Sequence, residues 1–401
     1  MKNIEGIKDC FGCGVCATIC GRNAIAIKQN EKGFYTPVVD SDMCTNCGLC
    51  VDVCAFKHDD LALKLKGHVQ YAYGAWSNKP NVRRRCSSGG VGYELGLYLL
   101  NEGYKICAVR YNAEQQRAEH YIATNEKELM PSIGSKYIQS YTVDGFKAIN
   151  RKEKYLVTGT PCQIDSFRRY LRKFKVEENF ILMDFFCHSV PSMLAWKKYL
   201  QIVEKKTGPV VYASWRNKFT GWHDSWAVAI DGVNDCKKVD WHDSYNIKIS
   251  GKKHFYNSRL SEGDLFYKLF LGDYCCNPAC QKNCKYKYDQ SSADIRIGDF
   301  WGKTYAKDED GVSAVVAFTE KGNDIMKSLD CTLIEHPFET VAEGQMKKNA
   351  GKAYISNLVF KALKDKNSTE STFRLYFKVE AALKLPRRII NKLHRMLWGR
   401  K

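Results

Sequence analysis

Two cysteine runs with identical spacing constrain this chain more than any other feature. Cys10, Cys13, Cys16 and Cys20 read C-x2-C-x2-C-x3-C, and Cys44, Cys47, Cys50 and Cys54 repeat it. Three thiolates on a tight loop cap three irons of a 4Fe-4S cube. The fourth, starting the following helical turn, points too far round and reaches a second cube. The spacing therefore predicts one cluster on Cys10, Cys13, Cys16 and Cys54, and another on Cys44, Cys47, Cys50 and Cys20. Gly12, Gly14 and Gly48 stand inside these loops, where backbone amides must turn toward sulfide. Residues 24–27 and 34–39 flank Asn30-Glu31-Lys32-Gly33 and read as a short hairpin. A zinc ribbon or double zinc site is the alternative, although it usually spaces its ligands in C-x2-C pairs.

The duplicated run matches the bacterial ferredoxin pattern, with Gly21 and Ala55 where proline is usual. A two-cluster head over residues 1–66 leaves a body of more than three hundred residues in a chain of 401. Hydrophobic residues at 44% and charged residues at 26% place that body in the globular range and exclude a disordered or fibrous chain. The opening MKNIEGIKDC has no apolar run before the first cysteine, so a reducing cytoplasm is expected. There, eighteen cysteines read as metal ligands or redox centres rather than disulfides. The net charge of +18 lies outside the neutral head and favours acidic partners.

The body alternates strand and helix signals. Residues 105–111, 155–158 and 180–186 are strand-like, and amphipathic helices are expected over 92–101, 163–174 and 192–206. From 210 to 256 several β segments rich in Trp, Tyr and Val follow, then a helix over 262–271 and a strand over 293–298. The expected fold class is α+β: a small ferredoxin-like two-cluster domain fused to a larger α/β flavin-binding body. The body divides into 67–208 and 209–372, with a basic tail over 373–401.

Several loops carry chemistry-like punctuation. Cys86-Ser87-Ser88-Gly89-Gly90 opens a helix, so backbone amides and two hydroxyls face a phosphate or an isoalloxazine edge, or else form a plain serine cap. Gly134-Ser135-Lys136-Tyr137 sets a cation beside an aromatic ring, suited to reduced flavin or to an ordinary turn. Gly159-Thr160-Pro161-Cys162 follows a strand and starts a helix, whose end amides would favour a thiolate at Cys162, as redox nucleophile or cluster ligand. Cys187-His188 follows another strand at its carboxyl end, where α/β sheets place ligands. Cys275, Cys276, Cys280 and Cys284 crowd into ten residues and suggest a metal. Cys107, Cys236 and Cys331 read as core or surface residues.

In this order, RRCSSGG, GSKY, GTPCQ, FCH, NPACQKNCKYK and ADIRIGDFWG behind a two-cluster head resemble the beta subunits of coenzyme F420 hydrogenase and dehydrogenase. The resemblance implies FAD and 4Fe-4S clusters that pass electrons between a one-electron donor and a two-electron acceptor. It implies that Ser87, Ser88, Gly89, Gly90 and Gly134 to Tyr137 line the flavin, with Gly159 and Thr160 nearby and Asp299 closing the site. Cys162, Cys187, Cys280 and Cys284 match the cysteines of a third, body cluster, although three residues separate Cys280 from Cys284 where relatives often have two. Lys136 is the expected stabiliser of reduced flavin and His188 the expected proton donor.

From Pro386 onward, Ile389, Ile390, Leu393, Met396 and Leu397 recur at helical spacing, with Arg387, Arg388, Lys392 and Arg395 on other faces. Such a helix lies on an anionic membrane surface or docks on protein. Three function classes follow. An iron-sulfur flavoprotein oxidoreductase acting on a small-molecule substrate leads. An electron-transfer component that feeds a partner oxidoreductase, or is served by a carrier protein, is second. Nucleic-acid binding, motivated by charge alone, lacks any interleaved recognition motif.

Overall fold

A computed structural model describes residues 2–64, 71–234, 239–240 and 254–398. Its centre is a nine-stranded mixed sheet. From edge to edge the strands are Cys331–Glu335, Tyr71–Ser77, Ser313–Ala317, Ile295–Asp299, Phe180–Phe185, Tyr155–Thr158, Lys105–Asn112, Arg117–Ala123 and Ser140–Tyr141. The four from Ile295–Asp299 to Lys105–Asn112 run parallel. Tyr155–Thr158 and Phe180–Phe185 at the middle of the sheet are near-continuous apolar runs because both faces are covered. Ile106, Leu156 and Ile181 pack beneath the helix Val91–Asn101, whereas Cys107, Val157 and Leu182 pack beneath the helix Pro161–Phe174. Strands from both sides of residue 209 pair in this sheet, so the two expected body segments share one framework.

A second, antiparallel sheet contains Val210–Arg216, Trp226–Gly232, His254–Arg259 and Val239–Asp240. Trp196 and Tyr199 of the helix Met193–Thr207, capped by Ser192, pack against it together with Phe266 of Leu265–Leu271. The helix Glu370–Trp398 buries Phe373 and sets Phe377 against Tyr274, while its Glu380 accepts from the amides of Tyr354 and Ile355. The first part of the tail therefore docks on its own body, with Leu375, Val379 and Leu383 exposed on the same helix. The expected apolar and basic pattern beyond Pro386 involves side chains outside the described residues, as does Cys236. Among the described residues no helix is long and apolar enough to cross a membrane.

The head contains the expected hairpin, Ile25–Gln29 paired with Tyr35–Val39, and two short helices, Val15–Ile19 and Leu49–Asp52, each entered through a left-handed glycine. It is pinned to the body through its first cysteine loop. Asn277 Nδ2 donates to the Cys10 carbonyl (3.1 Å), Gln139 Nε2 to that of Phe11 (3.1 Å) and Thr142 Oγ1 to that of Cys13 (2.8 Å). Two glycines permit this approach. A Cβ on Gly12 would collide with Gln139 Nε2, and one on Gly14 with Thr142 Oγ1. Both also have positive φ, at 72° and 74°.

Gly14→Val is therefore expected to cost about 1–2 kcal/mol for the left-handed backbone and about 1–3 kcal/mol more for overpacking. Gly103→Ala is the control, because Gly103 has φ 79° but open space around it. Thermal unfolding should separate the two variants, and limited proteolysis should release the head only from Gly14→Val.

Candidate functional site

Cys10, Cys13, Cys16 and Cys54 line one small cavity with Ile4, Ile7 and Phe11. Burial, reinforced by the neighbouring thiols, pushes Cys10 and Cys54 up to about 12 and Cys16 well above the usual thiol range. Thiols packed this way ionise only beside a cation, and a cluster's iron is such a partner. Cys44 and Cys47 lie close enough to Cys50 to raise it, after burial, and Cys20 packs in the same cluster of side chains as Cys50. Asn3 Nδ2 donates to Cys44 Sγ (3.6 Å), and Cys47 is exposed. Both donor sets suit 4Fe-4S ligation, one buried against the body and the other at the surface.

Cys162, Cys187, Cys280 and Cys284, far apart in sequence, converge. Cys162 interacts with Cys280, Cys13 and Cys187, and Cys280 with Cys187 and Cys284. Burial pushes Cys187 up to about 11 and Cys280 up to about 12, while the ammonium of Lys287 lowers both. Lys287 Nζ is held there by the carbonyls of Cys187 (2.7 Å) and His188 (2.6 Å). One expectation is corrected: Cys162 starts its helix, yet its thiol is pushed well above the ordinary value. Desolvation and the neighbouring thiols dominate, so a thiolate there is favoured only beside a positive charge such as cluster iron. The four thiols suit a third cluster. Cys275 points instead toward the Leu269 carbonyl in the core, and Cys276 lies beside Asp273.

Head and body thiols lie close enough to interact, Cys13 with Cys162. Cys13 Sγ donates to Ser166 Oγ (3.3 Å) on the helix that begins with Cys162. Phe11 packs with Ala55, Cys162, Ala279 and Tyr286. Fully buried Asp165 ties the same region together, accepting from the Ala62 amide (2.6 Å), Ser292 Oγ (2.5 Å) and Tyr286 Oη (3.0 Å).

Phe11 also lines a cavity of about 480 Å³ at the carboxyl ends of the parallel strands. Ser87, Ser88, Gly90, Gly134, Ser135, Lys136, Tyr137, Gly159, Thr160, Cys187, His188 and Asp299 all line it, gathered from separate stretches of chain. Gly89 does not. Its amide donates to Ser313 Oγ (3.0 Å), and its Cα packs where a Cβ would strike the Ala75 carbonyl. Nor do both hydroxyls face a ligand as expected. Ser88 Oγ donates to the Val312 carbonyl (2.7 Å), and Ser87 Oγ accepts from the Ser135 amide (3.1 Å), joining the two loops. The first turn of Val91–Asn101, at Gly90, Val91 and Gly92, also lines the cavity and offers backbone amides.

Lys136 lines the cavity, but its ammonium donates to the carbonyls of Pro131 (3.0 Å), Ser132 (2.8 Å) and Ile133 (3.1 Å). Burial pulls the amine down to about 7. All three of its donors are engaged, so the lysine holds the loop that bears Tyr137. His188 Nε2 lies 2.9 Å from Asp273 Oδ1, with its ring edge-on to Phe270.

Sequence reasoning missed a residue behind the cavity wall, set against the lining residues Tyr137, Trp226, Asp299 and Trp301. Arg216, fully buried at the end of strand Val210–Arg216, binds Asp299 through both carboxylate oxygens (2.6 and 2.9 Å) and donates to Tyr137 Oη (3.1 Å). Trp226 and Trp301 stack over its guanidinium, and Trp222 Nε1 donates to Asp299 Oδ1 (2.9 Å). Lys218, two residues on, donates to the carbonyls of Arg83, Ser88 and Asp310. The local signal was Ser-Trp-Arg-Asn-Lys followed by Gly-Trp-His-Asp-Ser-Trp, a cation between tryptophans on adjacent antiparallel strands.

Two family models describe the coenzyme F420 hydrogenase/dehydrogenase beta chain, and both match here: the N-terminal one over residues 72–146 and the C-terminal one over 152–336. A 4Fe-4S dicluster domain matches over residues 9–58. Among similar proteins, one component of the F(420)H(2) dehydrogenase of Methanosarcina mazei is 26% identical over 183 residues, covering 43% of this chain and 51% of its own. A coenzyme F420-dependent sulfite reductase of Methanocaldococcus jannaschii is 23% identical over 327 residues, 80% of this chain and 46% of its own. A chain of the F420-reducing [NiFe] hydrogenase complex from Methanosarcina barkeri aligns over 77% of this chain and 90% of its own, at 16% identity and a TM-score of 0.43. The present chain spans about half the length of the curated relatives it matches. With both halves of the body and the dicluster head accounted for, the chain belongs to the family of coenzyme F420 hydrogenase/dehydrogenase beta subunits.

Proposed function

We propose that this protein is an iron-sulfur flavoprotein oxidoreductase that exchanges electrons between its head and a two-electron organic acceptor at the large cavity. The observation that carries this reading is the contiguity of three features: the buried head thiols, the four body thiols and the cavity meet around Phe11 and Cys187. FAD, when bound, would supply the conversion between the one-electron traffic of iron-sulfur clusters and a two-electron transfer. The cavity volume fits part of such a ligand. The first-turn amides at Gly90 to Gly92 suit a phosphate, and Tyr137, Trp226 and Phe270 supply an aromatic wall.

The residues of the chain divide the remaining work. The ten cavity-lining residues expected to hold the flavin (Ser87, Ser88, Gly90, Gly134 to Tyr137, Gly159, Thr160 and Asp299) fix its position. Arg216 orients Asp299 and Tyr137. Lys136 keeps its loop closed against the cavity, and His188, held by Asp273, is placed to exchange a proton with the acceptor. The twelve thiols of the head and body hold the clusters.

Anaerobically purified protein should be brown, contain iron and acid-labile sulfide, and take up about one FAD per chain on titration. Absence of flavin binding to cluster-replete protein would remove the reading.

A second reading has its own support. Cys47 is exposed at the outer end of the head, where a donor protein could reach it, and one relative is named as a component of a larger dehydrogenase. In that reading the chain relays electrons to or from a partner protein without a substrate of its own. Turnover of a two-electron acceptor by the isolated chain, with dithionite as reductant, excludes it. The exposed Leu375, Val379 and Leu383, together with the basic tail, support peripheral contact with anionic lipid, tested by cosedimentation with phosphatidylglycerol vesicles.

A further inference from the structure

Beside the cavity His188 and Asp273, given a proton-exchange role above, meet a third donor, Cys276, that has none; with a metal on the three, His188 holds the ion instead of exchanging a proton. His188 Nε2, Asp273 Oδ1 and Cys276 Sγ lie within 4.8 Å of one another. They come from two segments laced together by backbone pairing. Pro191 bridges to Cys276, the Ser192 amide donates to the Cys275 carbonyl (2.8 Å), and the Asn277 amide to that of Val190 (2.9 Å). Main-chain pairing thus brings these side chains together alongside their own hydrogen bonds. Asp273 adopts φ 60°, in the left-handed region, and the Gly351 amide holds its other oxygen at 2.9 Å. A strained backbone and an engaged Oδ2 leave Oδ1 aimed at the imidazole (2.9 Å) and the thiol (3.6 Å). Ser189 Oγ donates to the same sulfur at 2.9 Å, a contact that suits sulfur carrying negative charge.

We propose that His188 Nε2, Asp273 Oδ1 and Cys276 Sγ bind one divalent cation of the zinc class. Nitrogen, carboxylate and thiolate are the three donor types zinc takes, and three protein ligands leave one tetrahedral position for water. Bonds of the usual zinc lengths would put a sulfur and an oxygen ligand about 3.6 Å apart, the separation found between Cys276 and Asp273. The imidazole and carboxylate need to part by about 0.4 Å from their hydrogen-bonded distance. Charge also balances: one thiolate and one carboxylate neutralise a dication, so the partly buried site carries no net charge. His188 and Ser189 belong to the cavity wall, so the ion borders the cavity without sharing a thiol with the three proposed cluster sites.

The inference stands apart from flavin binding, and metal analysis tests it separately. Cluster-replete full-length protein, incubated anaerobically with zinc and desalted, should retain about one zinc per chain besides its iron. Asp273→Asn and Cys276→Ser should each lose most of that zinc while iron and sulfide stay unchanged, which shows that the fold and clusters persist. Cobalt in place of zinc should give a thiolate-to-cobalt absorption band that Cys276→Ser lacks. Native protein retaining no zinc, or zinc retained in both variants, overturns the proposal.

Discussion

Cys280→Ser is expected to lower the iron content from about twelve to about eight atoms per chain, because one of three proposed four-iron sites loses a ligand. Cys280 is buried among Cys162, Cys187 and Cys284 and touches no thiol of the surface-exposed head site. The head clusters should therefore keep their paramagnetic signals after reduction, while turnover at the cavity is lost. Iron and sulfide analysis on the same anaerobic preparation, with the head signals as internal reference, checks this. A native protein with about eight irons would show that the body thiols hold no cluster, and the variant would then change neither the iron content nor the signals.

The second large effect falls on Arg216. Its guanidinium is fully buried, with the indoles of Trp226 and Trp301 against it, and paired with Asp299 at two points. Removing one partner of such a pair strands the other charge in low dielectric and costs about 3–5 kcal/mol. Arg216→Met is expected to destabilise by that amount, measured by denaturant midpoint on cluster-replete protein. Adding Asp299→Asn should recover part of the loss, because the stranded charge goes with it. A coupling on the order of 0.5–3 kcal/mol between the two sites is the expected signature. Additive losses would mean that the pair does not act as a unit. Weaker flavin binding in Arg216→Met should accompany the loss, since Asp299 and Tyr137 would both lose their orienting partner.

Spacing made the head legible, since one repeated run names both loops and their exchanged fourth ligands. Strands buried on both faces were equally plain: Tyr155–Thr158 was expected with the bounds it has, and the helices around it differ by one or two residues at their ends. Ser87, Gly134, Gly159, His188 and Asp299 were each visible only as loop punctuation. What assembles them is the parallel order of the central strands, which no single stretch of sequence displays.

Arg216 was illegible for a different reason. A cation in a strand reads as an exposed position, and its burial becomes reasonable only once Asp299 arrives from 83 residues away with Tyr137 and two indoles. Lys136 shows the limit of reading chemistry from residue type. A lysine beside an aromatic suggested charge for a ligand, whereas the carbonyls at Pro131, Ser132 and Ile133 engage its donors.

Gly12 and Gly14 leave no room for a side chain where the head meets Gln139 and Thr142. A free-standing carrier with ordinary residues at those positions could not take this seat, so the inner junction accepts one tenant only. Should the proposed electron exchange run through an outside redox protein, exposed Cys47 is the head thiol left open to it, away from the contacts that seat the first cysteine loop.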